Sequence, residues 1–238
     1  MSKHHAGGLA VQAFIAEWGA GHVGVSWSDP EAPVLSTADV ARRLGRGALA
    51  GTVTVAGLVL HGWLTGAVTL GRTAPSPSAL GVGLVVAMFS TVRDELLLRG
   101  VVLRAFRHTL GTVAQLVVCG VMAAASRVGQ QGDEPLGALL GSRAGALSTV
   151  VAALGGVCLG TIWLRERGAW MACGAHLAWT FLTTTVIAGG LCSATWGAAR
   201  GSEMWGSGGA DGSLVAALAL ALATAAASVW YRRRAGRS

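Results

Sequence analysis

The chain has 238 residues, 53% of them hydrophobic and only 12% charged, with a mean hydropathy of +0.57. Soluble domains carry about 25% charged residues, so this composition excludes an ordinary soluble domain and points to a membrane protein. The formal charge of +7 argues for no nucleic-acid partner here, because the arginines lie between apolar runs and membrane topology accounts for them.

Residues 1–46 hold Glu17, Asp29, Glu31, Asp39, Arg42, Arg43 and Arg46, with Pro30 and Pro33. The apolar run from Leu9 to Trp18 is too short for a signal-peptide core followed by a cleavage site, and Glu17 interrupts it, so a cytoplasmic segment with one short surface helix is expected, without a cleaved signal. An apolar helix needs roughly 20 residues to cross a bilayer. Six spans follow on that basis, at about 47–70, 79–106, 110–127, 144–164, 168–190 and 213–231, which makes residues 47–231 one transmembrane helical domain. The second is longer because it runs on through Arg104 and Arg107, and the third is the shortest. Residues 232–238 form a basic tail that reads as a stop signal at the inner interface. The fold class is all-α, a polytopic transmembrane bundle.

With the N-terminus inside, eleven arginines fall in cytoplasmic segments (42, 43, 46, 104, 107, 165, 167, 232, 233, 234 and 237), and three (72, 143 and 200) fall in outer loops. That asymmetry satisfies the positive-inside rule and places both termini in the cytoplasm. The loop 191–212 is rich in Gly and Ser and carries Trp196 and Trp205, which suits an outer loop with interfacial anchors. Cys119, Cys158, Cys173 and Cys192 make no CxxC pair, so a disulfide framework is not expected. Cys173 and His176 offer two ligands on one helix face, but no second such pair exists to complete a structural zinc site.

Two segments carry the chemistry. Arg93-Asp94-Glu95-Leu96-Leu97-Leu98-Arg99-Gly100 puts four charges after an apolar run. Charge in a hydrocarbon layer costs several kcal/mol unless paired or hydrated, and reads by default as functional. Glu95 and Arg99 share a helix face and can neutralise each other, so a buried pair that only fixes packing stands as the alternative. In the second segment, the charged turn Arg165-Glu166-Arg167 precedes a helix that presents His176 about two turns in, with Thr180 on the same face. A packing histidine is the plain alternative there.

Together these segments resemble the CPBP family of intramembrane proteases, also called the Abi or type II CAAX-protease family, over roughly residues 79–186. The family's first motif, Glu-Glu-x-x-x-Arg followed by Gly, appears as Asp94-Glu95-x-x-x-Arg99-Gly100. Its third, His-x-x-x-Asn, appears as His176-x-x-x-Thr180 after Gly168-Ala169-Trp170. The second motif, Phe-x-x-x-His, should end near residue 127, where the chain reads Ala123-Ala124-Ala125-Ser126-Arg127. The resemblance implies a catalytic set of Glu95, His176, Asp94 and Arg99, with Glu95 as the base, and Arg127 and Thr180 toward substrate. Arginine cannot accept a proton, so Arg127 would serve as an anion clamp, not as a base. No cofactor is called for, and the residues neither require a divalent metal nor exclude one.

The expected partners are membrane lipids and a membrane-anchored peptide or protein substrate, with no reading of oligomeric state. Three functions compete. The first is an intramembrane endopeptidase with a diverged site, acting on prenylated peptides, bacteriocin precursors or C-terminal sorting tails in a bacterial cytoplasmic membrane. The second is a catalytically inactive relative acting as membrane partner, immunity factor or regulator. The third, a small transporter, lacks the inverted repeats that would favour it.

Overall fold

The structure is a computed structural model that describes residues 12, 14–19, 21–22, 27–28, 32–68, 75–130, 142–191 and 213–235. Six helical runs lie where six spans are expected. The first is α1 (Thr37–Leu64). The second is α2 (Pro77–Asp94), which passes without a break through a π-helical stretch (Glu95–Gly100) into α3 (Val101–Ala105). Then come α4 (Thr112–Gln130) and α5 (Arg143–Glu166). The fifth run is α6 (Trp170–Phe181) with a second π-helical stretch (Leu182–Leu191), and the last is α7 (Leu214–Ala235). The loop with Trp196 and Trp205, and Cys192, Arg72 and Arg200, lie outside the described residues.

Three of these runs are long and apolar enough to cross a membrane unaided: Thr37–Leu64, Thr112–Gly129 and Gly145–Glu166. The second and fifth runs change to π geometry partway, which divides each into shorter α-helical pieces. α1 starts ten residues before the expected span because Ser36 caps it, its hydroxyl accepting from the Asp39 amide at 3.2 Å. Ser76 caps α2 with Pro77 in its first turn, and Ser142 caps α5.

Small residues set the packing. On α1, Gly47 and Gly51 are spaced as a small-xxx-small pair and face α6, where Gly174 answers them. A Cβ at Gly47 would strike the carbonyl of Met171, and one at Gly174 would strike the carbonyl of Leu44. α4 and α5 meet in the same way, antiparallel, with Gly156 against Cys119 and Gly120 against Ala153. The core under the charged motif gathers Val102, Leu103, Cys119, Cys158, Trp163 and Cys173, and these three cysteines are buried and free.

The surface is apolar and much of the buried set is polar. Val53, Leu60, Val85, Met88, Val117, Val121 and Leu222 are exposed, while Glu95, Arg99, Thr161 and Thr183 are buried. That inversion suits a hydrocarbon solvent, in which polar groups must find partners inside the protein.

At one end of the bundle, Arg43 bonds the Glu166 carbonyl and pairs with its carboxylate at 3.6 Å, and Arg104 donates to the Ser28 carbonyl at 2.8 Å. Trp27 stacks on Trp170 with ring centroids 5.2 Å apart, and the Ala169 amide donates to the Trp27 carbonyl at 2.8 Å. The turn from α5 to α6 passes through Arg167, at φ 52, a left-handed cap made without glycine. At the following Gly168, an added Cβ would lie 2.8 Å from the Trp27 carbonyl. These contacts fix the start of the helix that carries His176.

Candidate active site

Three elements converge on one carboxylate. Glu95 opens the first π-helical stretch and is 0% exposed. Its Oε1 accepts from an Arg99 terminal N–H and from His176 Nδ1–H, the latter at 2.8 Å, and its Oε2 accepts from Trp163 Nε1–H, also at 2.8 Å. Both oxygens are therefore occupied, by donors from three helical runs. A π-helical turn inserted in an α-helix is frequently found at functional sites, because it rotates the residues beyond it relative to those before. Here the stretch begins at the motif acid itself, and the second one begins two residues after Thr180.

A cavity of about 710 Å³ opens beside this network. Asp94, Arg99, Arg127, His176 and Thr180 all line it; Glu95 does not. Of the six residues singled out in the sequence, five thus share one cavity, and the sixth is sealed behind it. Asp94 stands one residue before Glu95 and bonds Arg93 Nε–H at 2.8 Å, while Arg93 also donates to the Gln12 side chain at 3.0 Å. His176 Nε2 makes no hydrogen bond to a described residue. In the neutral ring, Nδ1–H donating to the carboxylate leaves the lone pair on Nε2, which is the tautomer of a proton acceptor. Neither the Thr180 hydroxyl nor the buried Nε–H of Arg99 makes a hydrogen bond to a described residue.

Arg127 is not among the partners of Glu95, and the helix register explains why. Since α4 and α5 run antiparallel with Gly120 opposite Ala153 and Gly156 opposite Cys119, Arg127 falls at the level of Ser148. Trp163, which marks the level of Glu95, is fifteen residues further along α5, about 22 Å at 1.5 Å per residue. Arg127 lines the far end of the cavity.

Trp163 is the site residue that the sequence reading passes over. Tryptophans near span ends read as interfacial anchors, and no motif marks this one as a donor to the acid. Among the described residues no group of three or more His, Cys, Asp or Glu is placed to hold a metal ion.

Residues 76–182 match the family model described as Rce1-like, type II CAAX prenyl endopeptidase Rce1-like. The matched segment runs from the cap of α2 to just past Phe181 and contains every residue of the site named above. No curated protein and no solved structure matches the chain.

Proposed function

We propose that the chain is an intramembrane peptidase of the type II CAAX prenyl endopeptidase (CPBP) family, whose model residues 76–182 match, and that its water is activated by His176. The observation that carries the proposal is the Glu95–His176 pair, with Nδ1 anchored and the ring lining a cavity. In this reading His176 Nε2 takes a proton from water, and the hydroxide adds to the scissile carbonyl. His176 then returns the proton to the leaving amine as the C–N bond breaks. Thr180 and the Nε–H of Arg99, neither bonded to a described residue, are the donors proposed for the oxyanion. Asp94 is the carboxylate on the cavity side, placed to hold the attacking water.

Glu95, the base implied by the family resemblance, becomes a positioning residue. A carboxylate with three protein donors and no cavity surface offers water no accessible lone pair, whereas its charge can balance an imidazole that gains and loses a proton. The substrate is a membrane-tethered peptide of the prenylated or sorting-signal kind. The arginine distribution supports an orientation with both termini on the cytoplasmic side.

The test uses the full chain reconstituted in vesicles with a lipid-tethered fluorogenic peptide. His176→Ala and Asp94→Asn should each lower the cleavage rate about 100-fold or more, with the fold retained by circular dichroism. Cleavage unchanged in both variants would end the proposal.

One observation favours a second reading, a family member that binds without cleaving. Among the described residues, His176 is the one imidazole lining the cavity, and Arg127 stands where the second-motif histidine is expected. Under that reading the wild type cleaves nothing, and partner capture survives His176→Ala.

A further inference from the structure

The chain ahead of α1 is tied to the bundle at two places. Trp27 and Ser28 lie against the turn that launches α6, and Trp27 also packs on Leu96. Earlier in the chain, the side-chain oxygen of Gln12 accepts from an Arg93 terminal N–H at 3.0 Å. Arg93 stands on the flank of the second helical run, which continues beyond it to Ala105. Between the two ties, residues 14–19 and 21–22 are helical.

This helix is turned the wrong way for water. Phe14, Ile15 and Trp18 are 69%, 58% and 61% exposed, whereas Ala16 is 2% exposed. At about 100° per residue, Phe14, Ile15, Trp18 and His22 fall within one outward arc, while Gln12 and Ala16 share another face. His22 extends the outward face, its ring centroid 4.2 Å from that of Trp18. A helix packed on a protein in water buries its large apolar side chains and leaves glutamine outside. Here the glutamine and the small residue face the bundle instead.

The same inversion marks the bundle beside it. Met88 and Leu97, on either side of Arg93 in the second run, are exposed as well. The face of Phe14, Ile15 and Trp18 therefore continues a surface whose solvent is hydrocarbon, and aromatic side chains suit its boundary with the headgroups. Three side chains offer far less than the roughly 1,000 Å² that a specific protein partner needs. A helix lying in a leaflet needs only an apolar face.

We propose that the helix carrying Phe14, Ile15 and Trp18 is an interfacial helix docked in a lipid leaflet. Those three side chains lie among the acyl chains, and Gln12 holds the helix to Arg93 beside Asp94. The partner is the bilayer, not another chain. This docking does not depend on peptide cleavage, so it stands or falls apart from the peptidase reading.

The experiment replaces Phe14, Ile15 or Trp18, one at a time, with the photo-crosslinker benzoylphenylalanine in the full chain. Exposed Val85 on α2 serves as the lipid-facing standard and exposed Glu17, outside the outward arc, as the reference. Each variant is irradiated in vesicles of phosphatidylcholine and phosphatidylglycerol, and adducts are read by intact mass and by gel. Lipid adducts at the three positions should come within about twofold of Val85 and exceed Glu17 by at least about fivefold, as insertion of one apolar face requires. Circular dichroism confirms that each variant keeps its helix content, and three positions guard against the failure of one. Yields no higher than at Glu17, crosslinks between two copies in place of lipid, or crosslinks into the bundle itself would overturn the proposal.

Discussion

Asp94 and Glu95 are neighbours in the chain and opposites in the fold. Glu95 lies on the closed side, 0% exposed, and carries three donors from α5, α6 and its own π-helical stretch. Asp94 lies on the cavity side and, among the described residues, pairs with Arg93. The pair shows how a doubly acidic motif can divide its labour: one carboxylate holds the helices and aims the imidazole, and the other meets whatever enters. It also shows why intramembrane charge alone does not identify a catalytic group, since the more deeply buried acid is the one with no surface left for chemistry.

The largest effect should come from breaking the closed side. Glu95→Ala leaves the Arg99 guanidinium buried without its counter-charge, and losing one member of a buried pair costs about 3–5 kcal/mol. Denaturant unfolding in mild detergent should record that loss, whereas Asp94→Asn should stay within about 1 kcal/mol of wild type while suppressing cleavage. Comparable destabilisation by the two substitutions would erase the distinction between the two sides.

Next in size is the helix seam that aligns the two sides. Gly174 faces the backbone of α1, where an added Cβ would fall 2.8 Å from the Ala48 nitrogen. Gly174→Leu should therefore cost about 1–3 kcal/mol, as overpacked cores do. It should also weaken catalysis by displacing His176 two residues on. A variant with wild-type stability and activity would mean that α1 and α6 are not in close contact.

Trp163→Phe keeps the ring and deletes one donor to Oε2. A buried acceptor left short of one partner loses about 1–3 kcal/mol, measurable by the same unfolding, with a smaller loss of rate than His176→Ala. The smallest expected change lies away from both sides, in the turn that launches α6. Arg167 adopts φ 52, and glycine tolerates that conformation without the Cβ penalty of roughly 1 kcal/mol. Arg167→Gly should raise Tm slightly and leave activity unchanged.

The bundle is readable in the sequence because a bilayer demands long apolar runs, and each of the six expected spans coincides with a helical run. The ends are less readable: α1 begins at Thr37 because a serine cap extends it past the apolar stretch. The Glu95–Arg99 pairing follows from a four-residue spacing, and it survives the π geometry. The division between Asp94 and Glu95 does not follow from spacing, because which of two adjacent acids points inward depends on where the π-helical stretch inserts. Trp163 leaves no trace in a motif search, since an indole donor and an interfacial anchor are the same residue type. The Gly47–Gly51 spacing is a signal that was present in the chain and that compositional reading of small residues leaves undifferentiated. Arg127 is the opposite case. Motif order would place it beside the acid, span topology puts it near the outer end of its helix, and the antiparallel register of α4 and α5 carries it to the far end of the cavity.

The central claim is that Glu95 holds His176 through Nδ1 and leaves Nε2 for the cavity. Nitrogen-15 NMR of the His176 imidazole, in the full chain in nanodiscs at neutral pH, tests it most directly. A protonated Nδ1 and an unprotonated Nε2 are expected, with the Nδ1 resonance moving in Glu95→Gln and holding in Asp94→Asn. A ring protonated at Nε2, or an Nδ1 signal indifferent to Glu95→Gln, would contradict the account.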